Sequence, residues 1–218
     1  MINNKCCMDK QTVVQAWLWR GIEHFYLGFM VEEWRWRHYE PFFDYLGLEL
    51  FCKAYLLAQR SSEYETIDFQ KAKYKIDEIA RSFGHGLGKM LKVIDGLIGG
   101  KRVNKLIHAD YDGYAGEGIV TVLEAAYFES RYPMPESVSN KFPIEGTNLC
   151  WYPLLSSGLS KFAYAVSREL LCALKNKDNI GITKAEIEKS ILVNDMGERF
   201  CRLFFKDDIE RYTIENGK

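Results

Sequence analysis

The chain has 218 residues, a net charge of −1 and a pI near 6.4. That balance excludes a global electrostatic signature of nucleic-acid binding, so any such contact needs a local basic patch. Hydrophobic content of 47% against 27% charged residues is that of an ordinary globular protein, and the length suits one domain with or without an extension. Aromatic residues reach 14%, which points to thick helix–helix contacts or an adhesive surface.

The opening segment, MINNKCCMDKQ, has no apolar signal core, so neither secretion nor a spanning segment is expected from it. Residues 12–37 read as the first helix. Ile22, Phe25, Tyr26, Phe29 and Met30 fall at helical spacing, with Val14, Trp17 and Leu18 one and two turns earlier, and Thr12 is the candidate N-cap. Its end alternates charge and aromatic through Trp34, Arg35, Trp36, Arg37 and His38. Such side chains stack on nucleobases or lie amphipathically at a helix end, and both readings stand open.

Pro41 opens the next helix at its first turn, where a missing N–H costs nothing. The stretch Phe42–Gln59, FFDYLGLELFCKAYLLAQ, is apolar nearly all round and is expected to be the enclosed central helix. Asp44, Glu49 and Lys53 within it argue against lipid. Glu49 and Lys53 lie i and i+4 with the acid first, the favourable order. They form either an intrahelical pair at the edge of the core or one wall of a polar site shared with other helices.

A polar loop follows, then a helix over 69–82 with Ile76, Ile79 and Ala80 as its apolar side. The break Phe83-Gly84-His85-Gly86 comes next, then an amphipathic helix over 87–97 closed by Gly99-Gly100. The segment 101–118 is Gly-rich and expected to be irregular. Ile119 to Ser130 reads as a helix stopped by Arg131-Tyr132-Pro133-Met134-Pro135, and 136–150 as a loop. The last long helix is expected at 151–175, with Leu155, Leu159, Phe162, Ala163, Val166, Leu170 and Leu174 on one stripe. One or two shorter helices fit in 182–205, where Thr183 and Glu186 make a capping-box pattern, and the charged end from Asp207 is expected to fray.

No repeat and no strand–helix alternation is present. The fold reading is therefore an all-α bundle over 1–178 with a C-terminal helical extension over 179–218. The six cysteines lack C-x-x-C spacing, and Cys52, Cys150, Cys172 and Cys201 sit singly in apolar runs. Buried free thiols in a reducing cytoplasm are expected. The four His show no ligand spacing, the glycine clusters at 84–88 and 113–118 lack the context of a phosphate loop, and there is no nucleophile elbow. No metal and no cofactor are expected.

Two constellations remain. Arg102 and His108, with Lys101 and Lys105 beside them, form the strongest basic patch. An Arg on a phosphodiester and a His transferring a proton would make a metal-independent endoribonuclease, and a solvated basic loop is the alternative. The other joins Arg131 and Tyr132 with Lys53 and His85, and there a helix-ending Arg capping its own carbonyls is the alternative.

Three stretches carry a family likeness. Leu48-Glu49-Leu50-Phe51-Cys52-Lys53-Ala54-Tyr55-Leu56-Leu57 resembles the second helix of HEPN domains. Gly84-His85-Gly86-Leu87-Gly88-Lys89-Met90-Leu91 resembles their G-H-x-L-x-x-L helix start. Ala126-Tyr127-Phe128-Glu129-Ser130-Arg131-Tyr132-Pro133 is similar to the helix ending of the sacsin-like and nucleotidyltransferase-linked branch. The likeness covers about residues 12–135 and the helix at 151–175. It implies an up-and-down bundle that dimerises and binds a nucleotide, RNA or protein partner, in a toxin–antitoxin, phage-defence or RNA-processing setting. An antitoxin or a nucleotidyltransferase is the implied partner, and no membrane is involved. Lys53, His85, Arg131 and Tyr132 fall in these three separate stretches and are expected to line a ligand site, with Glu49 structural; the alternative is that the Glu49–Lys53 face, His85 and Arg131 tie the helices together through buried polar contacts. Ribonuclease members carry Arg and His at about the spacing of Arg102 and His108, although Val103 stands where they place a polar residue.

Overall fold

The structure is a computed structural model that describes residues 8–33, 39–111, 118–131, 152–191 and 195–206. Among these residues it is all-α. In chain order the helices are α1 (Lys10–Glu33), α2 (Glu40–Gln59), α3 (Phe69–Ser82), α4 (Leu87–Ile98), α5 (Arg102–Ile107), α6 (Gly118–Arg131), α7 (Tyr152–Asp178), α8 (Lys184–Ile191) and α9 (Asp195–Phe204). They pack as a bundle around α2, which touches α1, α3, α4, α6 and α7. An all-round apolar helix demands such enclosure.

The α1–α2 contact is the most extensive in the bundle, and two glycines set its spacing. A Cβ at Gly21 would lie 2.4 Å from the Phe51 ring, and one at Gly47 would lie 2.6 Å from the Phe25 ring. Each ring fills the gap left by the glycine opposite. Val14, Leu18, Ile22, Phe25 and Phe29 form the buried stripe of α1, and Leu159, Phe162, Ala163, Val166, Leu170 and Leu174 that of α7. The C-terminal segment joins the same core. Phe204 packs against Phe25 and Tyr164 at ring-centroid distances of 5.7 and 5.4 Å, and Phe200 is fully buried beside it.

The helix ends explain where expectation and structure differ. Thr12 does not cap α1. Asp9 does, accepting from the Thr12 backbone N–H at 2.9 Å and from its hydroxyl at 2.6 Å, so Thr12 lies inside the first turn. These bonds, the Thr12 hydroxyl's first, hold the Asp9 carboxyl below its usual range. The segment from Lys101 is not irregular throughout: α5 forms there. Lys101 turns the chain with a left-handed φ of 55°, Asp95 of α4 accepts from the Asn104 N–H at 3.0 Å, and Val103 anchors the turn in the core. Helix α7 continues beyond 175 to Asp178 and stops where Asn179 adopts a left-handed φ of 54°. The capping box at α8 is present, with the Thr183 N–H 2.7 Å from Glu186 Oε2 and the Glu186 N–H 3.2 Å from Thr183 Oγ1. Helix α6 runs through Arg131.

Cys52 and Cys201 are buried free thiols, as expected, but Cys172 is exposed, because it falls on the outer side of the α7 stripe. The aromatic run Trp34 to His38, the segment 132–151 with Cys150, residues 1–7, and the end from Asp207 lie outside the described residues. Among those described, no helix is long and apolar enough to cross a membrane.

Candidate functional site

Helix α2 presents Tyr45, Glu49 and Lys53 at successive i+4 positions, so the three share one face. Asp68 starts α3 by accepting from the Lys71 N–H at 3.1 Å, and the helix ends in the turn at Phe83. Gly84 passes through this turn with a φ of 62°, a conformation that favours glycine, and no other atom crowds it. The turn sets His85 against the polar face of α2, and the Tyr45 hydroxyl donates to the His85 carbonyl and pins it there.

The result is a convergent set. Lys53 Nζ donates to Glu49 Oε1 at 2.6 Å, and His85 Nδ1 lies 3.0 Å from the same oxygen. Glu49 and Lys53 are buried, whereas the His85 side chain is 63% exposed. The cluster therefore has a closed inner end and an open outer one. Burial first, then the Glu49 and Glu124 carboxylates, push the Tyr45 phenol far above its usual range, so it stays a donor. Burial likewise pushes the Cys52 thiol up. The Glu49 charge adds to that shift and Lys53 opposes it, leaving Cys52 a packed thiol rather than a nucleophile.

Of the residues singled out in the sequence, the structure thus brings together Glu49, Lys53 and His85. Arg131 closes α6. Its side chain and Tyr132 lie outside the described residues. Arg102 and His108 stand at the two ends of α5, both exposed, and Arg102 reaches Glu169 of α7 at 3.3 Å. Six residues of helix leave two side chains about 120° apart around the axis and about 9 Å apart along it.

Three features were not singled out. Tyr45 is the first, although its i−4 spacing from Glu49 signalled it. The second is a buried contact between α2 and α7, where Ser160 Oγ lies 2.6 Å from Glu40 Oε1 and 2.5 Å from Asp44 Oδ2. The Glu40/Asp44 i,i+4 spacing was visible, but Ser160 is 116 residues distant and had no signal. The third is a groove of about 370 Å³ between α4, α5 and α6, lined by Gly88, Lys92, Asp95, Asn104, Thr121 and Glu124. There Glu124 accepts from the Gly88 N–H at 3.1 Å and ties the start of α4 to α6. A larger groove of about 460 Å³, bordered by α1, α7 and α8, shares no residue with the cluster. Among the described residues no group of His, Cys, Asp and Glu is arranged to hold a metal ion.

Comparison of the chain with protein-family models, curated proteins and solved structures finds no match. The likeness to HEPN domains therefore rests on the three sequence stretches themselves.

Proposed function

We propose that the chain is an HEPN-like, up-and-down helical binding module that dimerises and engages a nucleotide or RNA at the Glu49–Lys53–His85 cluster. The observation that supports this reading is the pairing of a buried, charge-compensated inner end with an imidazole open to solvent. A purely structural polar contact has no need of an exposed member, whereas a ligand site has. Two of the three HEPN-like stretches meet in this cluster, and Arg131 and Tyr132 from the third complete the proposed lining. The setting would be toxin–antitoxin or phage defence, with an antitoxin or nucleotidyltransferase as protein partner.

The test is the freshly purified chain. Excess absorbance at 260 nm, and a rise in anisotropy of a labelled single-stranded RNA on titration, are expected. Light scattering should give twice the chain mass. A monomer that binds neither RNA nor ATP contradicts the reading and leaves a protein partner as the remaining kind of ligand.

A second reading, a metal-independent endoribonuclease using Arg102 and His108, is favoured by the exposure of both side chains at the ends of α5. It requires RNA cleavage in EDTA with a cyclic phosphate product, lost in His108→Ala. Cleavage that survives that substitution counts against it.

A further inference from the structure

Glu49 decides which nitrogen of His85 faces a ligand. An ionised carboxylate only accepts hydrogen bonds, and a neutral imidazole has one N–H and one lone pair. With Nδ1 3.0 Å from Glu49 Oε1, a lone pair there would face another lone pair, so Nδ1 carries the proton. The carboxylate has no donor to spare: Lys53 takes the same oxygen at 2.6 Å, and Glu49 Oε2 is buried without a hydrogen-bond partner among the described residues. Lys53 is the ion-pair partner of Glu49, and His85 Nδ1 reaches the same oxygen from the solvent side.

Resting on the binding reading above, we infer that the cluster, with Nδ1 committed to Glu49, presents His85 Nε2 as an acceptor and takes RNA through an N–H or O–H donor rather than through phosphate. On RNA such donors are base amino groups and the ribose 2′-hydroxyl. Among the described residues the cation of the cluster is Lys53, and it is turned inward to Glu49 with 9% of its side chain exposed. A phosphate arriving at His85 would meet the Nε2 lone pair with the Glu49 carboxylate behind it. Glu124 of α6, which accepts from the Gly88 N–H at the start of α4, is a further acceptor that disfavours an anion.

The tautomer is read directly by long-range ¹H–¹⁵N correlation spectra of ¹⁵N-histidine-labelled full chain at pH 7.5, with His85→Asn giving the assignment. A protonated Nδ1 and an unprotonated Nε2 are expected, with no shift of Nε2 when inorganic phosphate is added. The reverse tautomer, a doubly protonated ring or a phosphate-induced shift at Nε2 overturns the inference, whether or not RNA binds. Where RNA binds, His85→Ala is expected to weaken it about tenfold without changing the slope of log K against log salt. Loss of a phosphate contact would instead lower that slope by about one unit. Failure of the chain to bind RNA with the expected tautomer present rejects the RNA reading and leaves the acceptor assignment standing.

Discussion

A carboxylate with 4% of its surface exposed persists in a helical core only with donors around it, and Glu49 has two. Its pair with Lys53 is weak ground for stability as such, since desolvating two ions offsets most of their attraction, but breaking the pair on one side is costly. Lys53→Met should therefore destabilise the chain by about 3–5 kcal/mol in urea unfolding, because it leaves Glu49 buried with His85 alone. The double variant Glu49→Leu/Lys53→Met should recover most of that loss. A single variant as stable as wild type would mean that the pair is not buried as described. For the same reason Lys53 is a poor choice for probing ligand contact, and His85, two-thirds exposed, is a good one.

The α1–α2 contact shows how two glycines govern an element's position. Gly→Ala inside a helix normally gains about 1 kcal/mol. At Gly47 that gain meets a fully buried Phe25 ring 2.6 Å from the new methyl, and overpacking of a core costs about 1–3 kcal/mol. Gly47→Ala is thus expected to be destabilising, by up to about 2 kcal/mol net. Gly96→Ala on the open side of α4, where nothing lies within 4 Å, is expected to stabilise by about 1 kcal/mol. Urea midpoints shifting in opposite directions would bear this out, and two shifts of the same sign would not. The helices themselves were largely legible in the sequence. Periodic stripes such as Val14-Leu18-Ile22-Phe25 and Leu87-Met90-Leu91-Ile94 mark buried faces whatever they pack against. What escaped were ends and short pieces decided by single distant bonds. Helix α5 depends on Asp95 from the preceding helix, and the Asp9 cap pre-empts Thr12 by three residues.

At the scale of the whole molecule, α2 arranges both the core and the candidate site. Its apolar faces gather α1, α6 and α7, and its polar line Tyr45-Glu49-Lys53 receives the turn that carries His85. The Glu49–Lys53 pair was readable from i,i+4 spacing alone. The convergence of His85 on it was suggested by resemblance, because a contact across 36 residues leaves no local trace. The Ser160 contact had neither kind of signal. The central claim is that this polar line opens to a ligand through His85 and does not merely fasten α4 to α2. Anisotropy titration of a labelled single-stranded RNA against wild type and His85→Ala, with thermal melting of both, tests it most directly. The expected result is a Kd raised about tenfold, the worth of one well-placed hydrogen bond, at a temperature where both proteins are folded, with only a modest fall in melting temperature from the lost bond to Glu49. An unchanged Kd, or a loss of binding that only follows a fall in melting temperature, would contradict it.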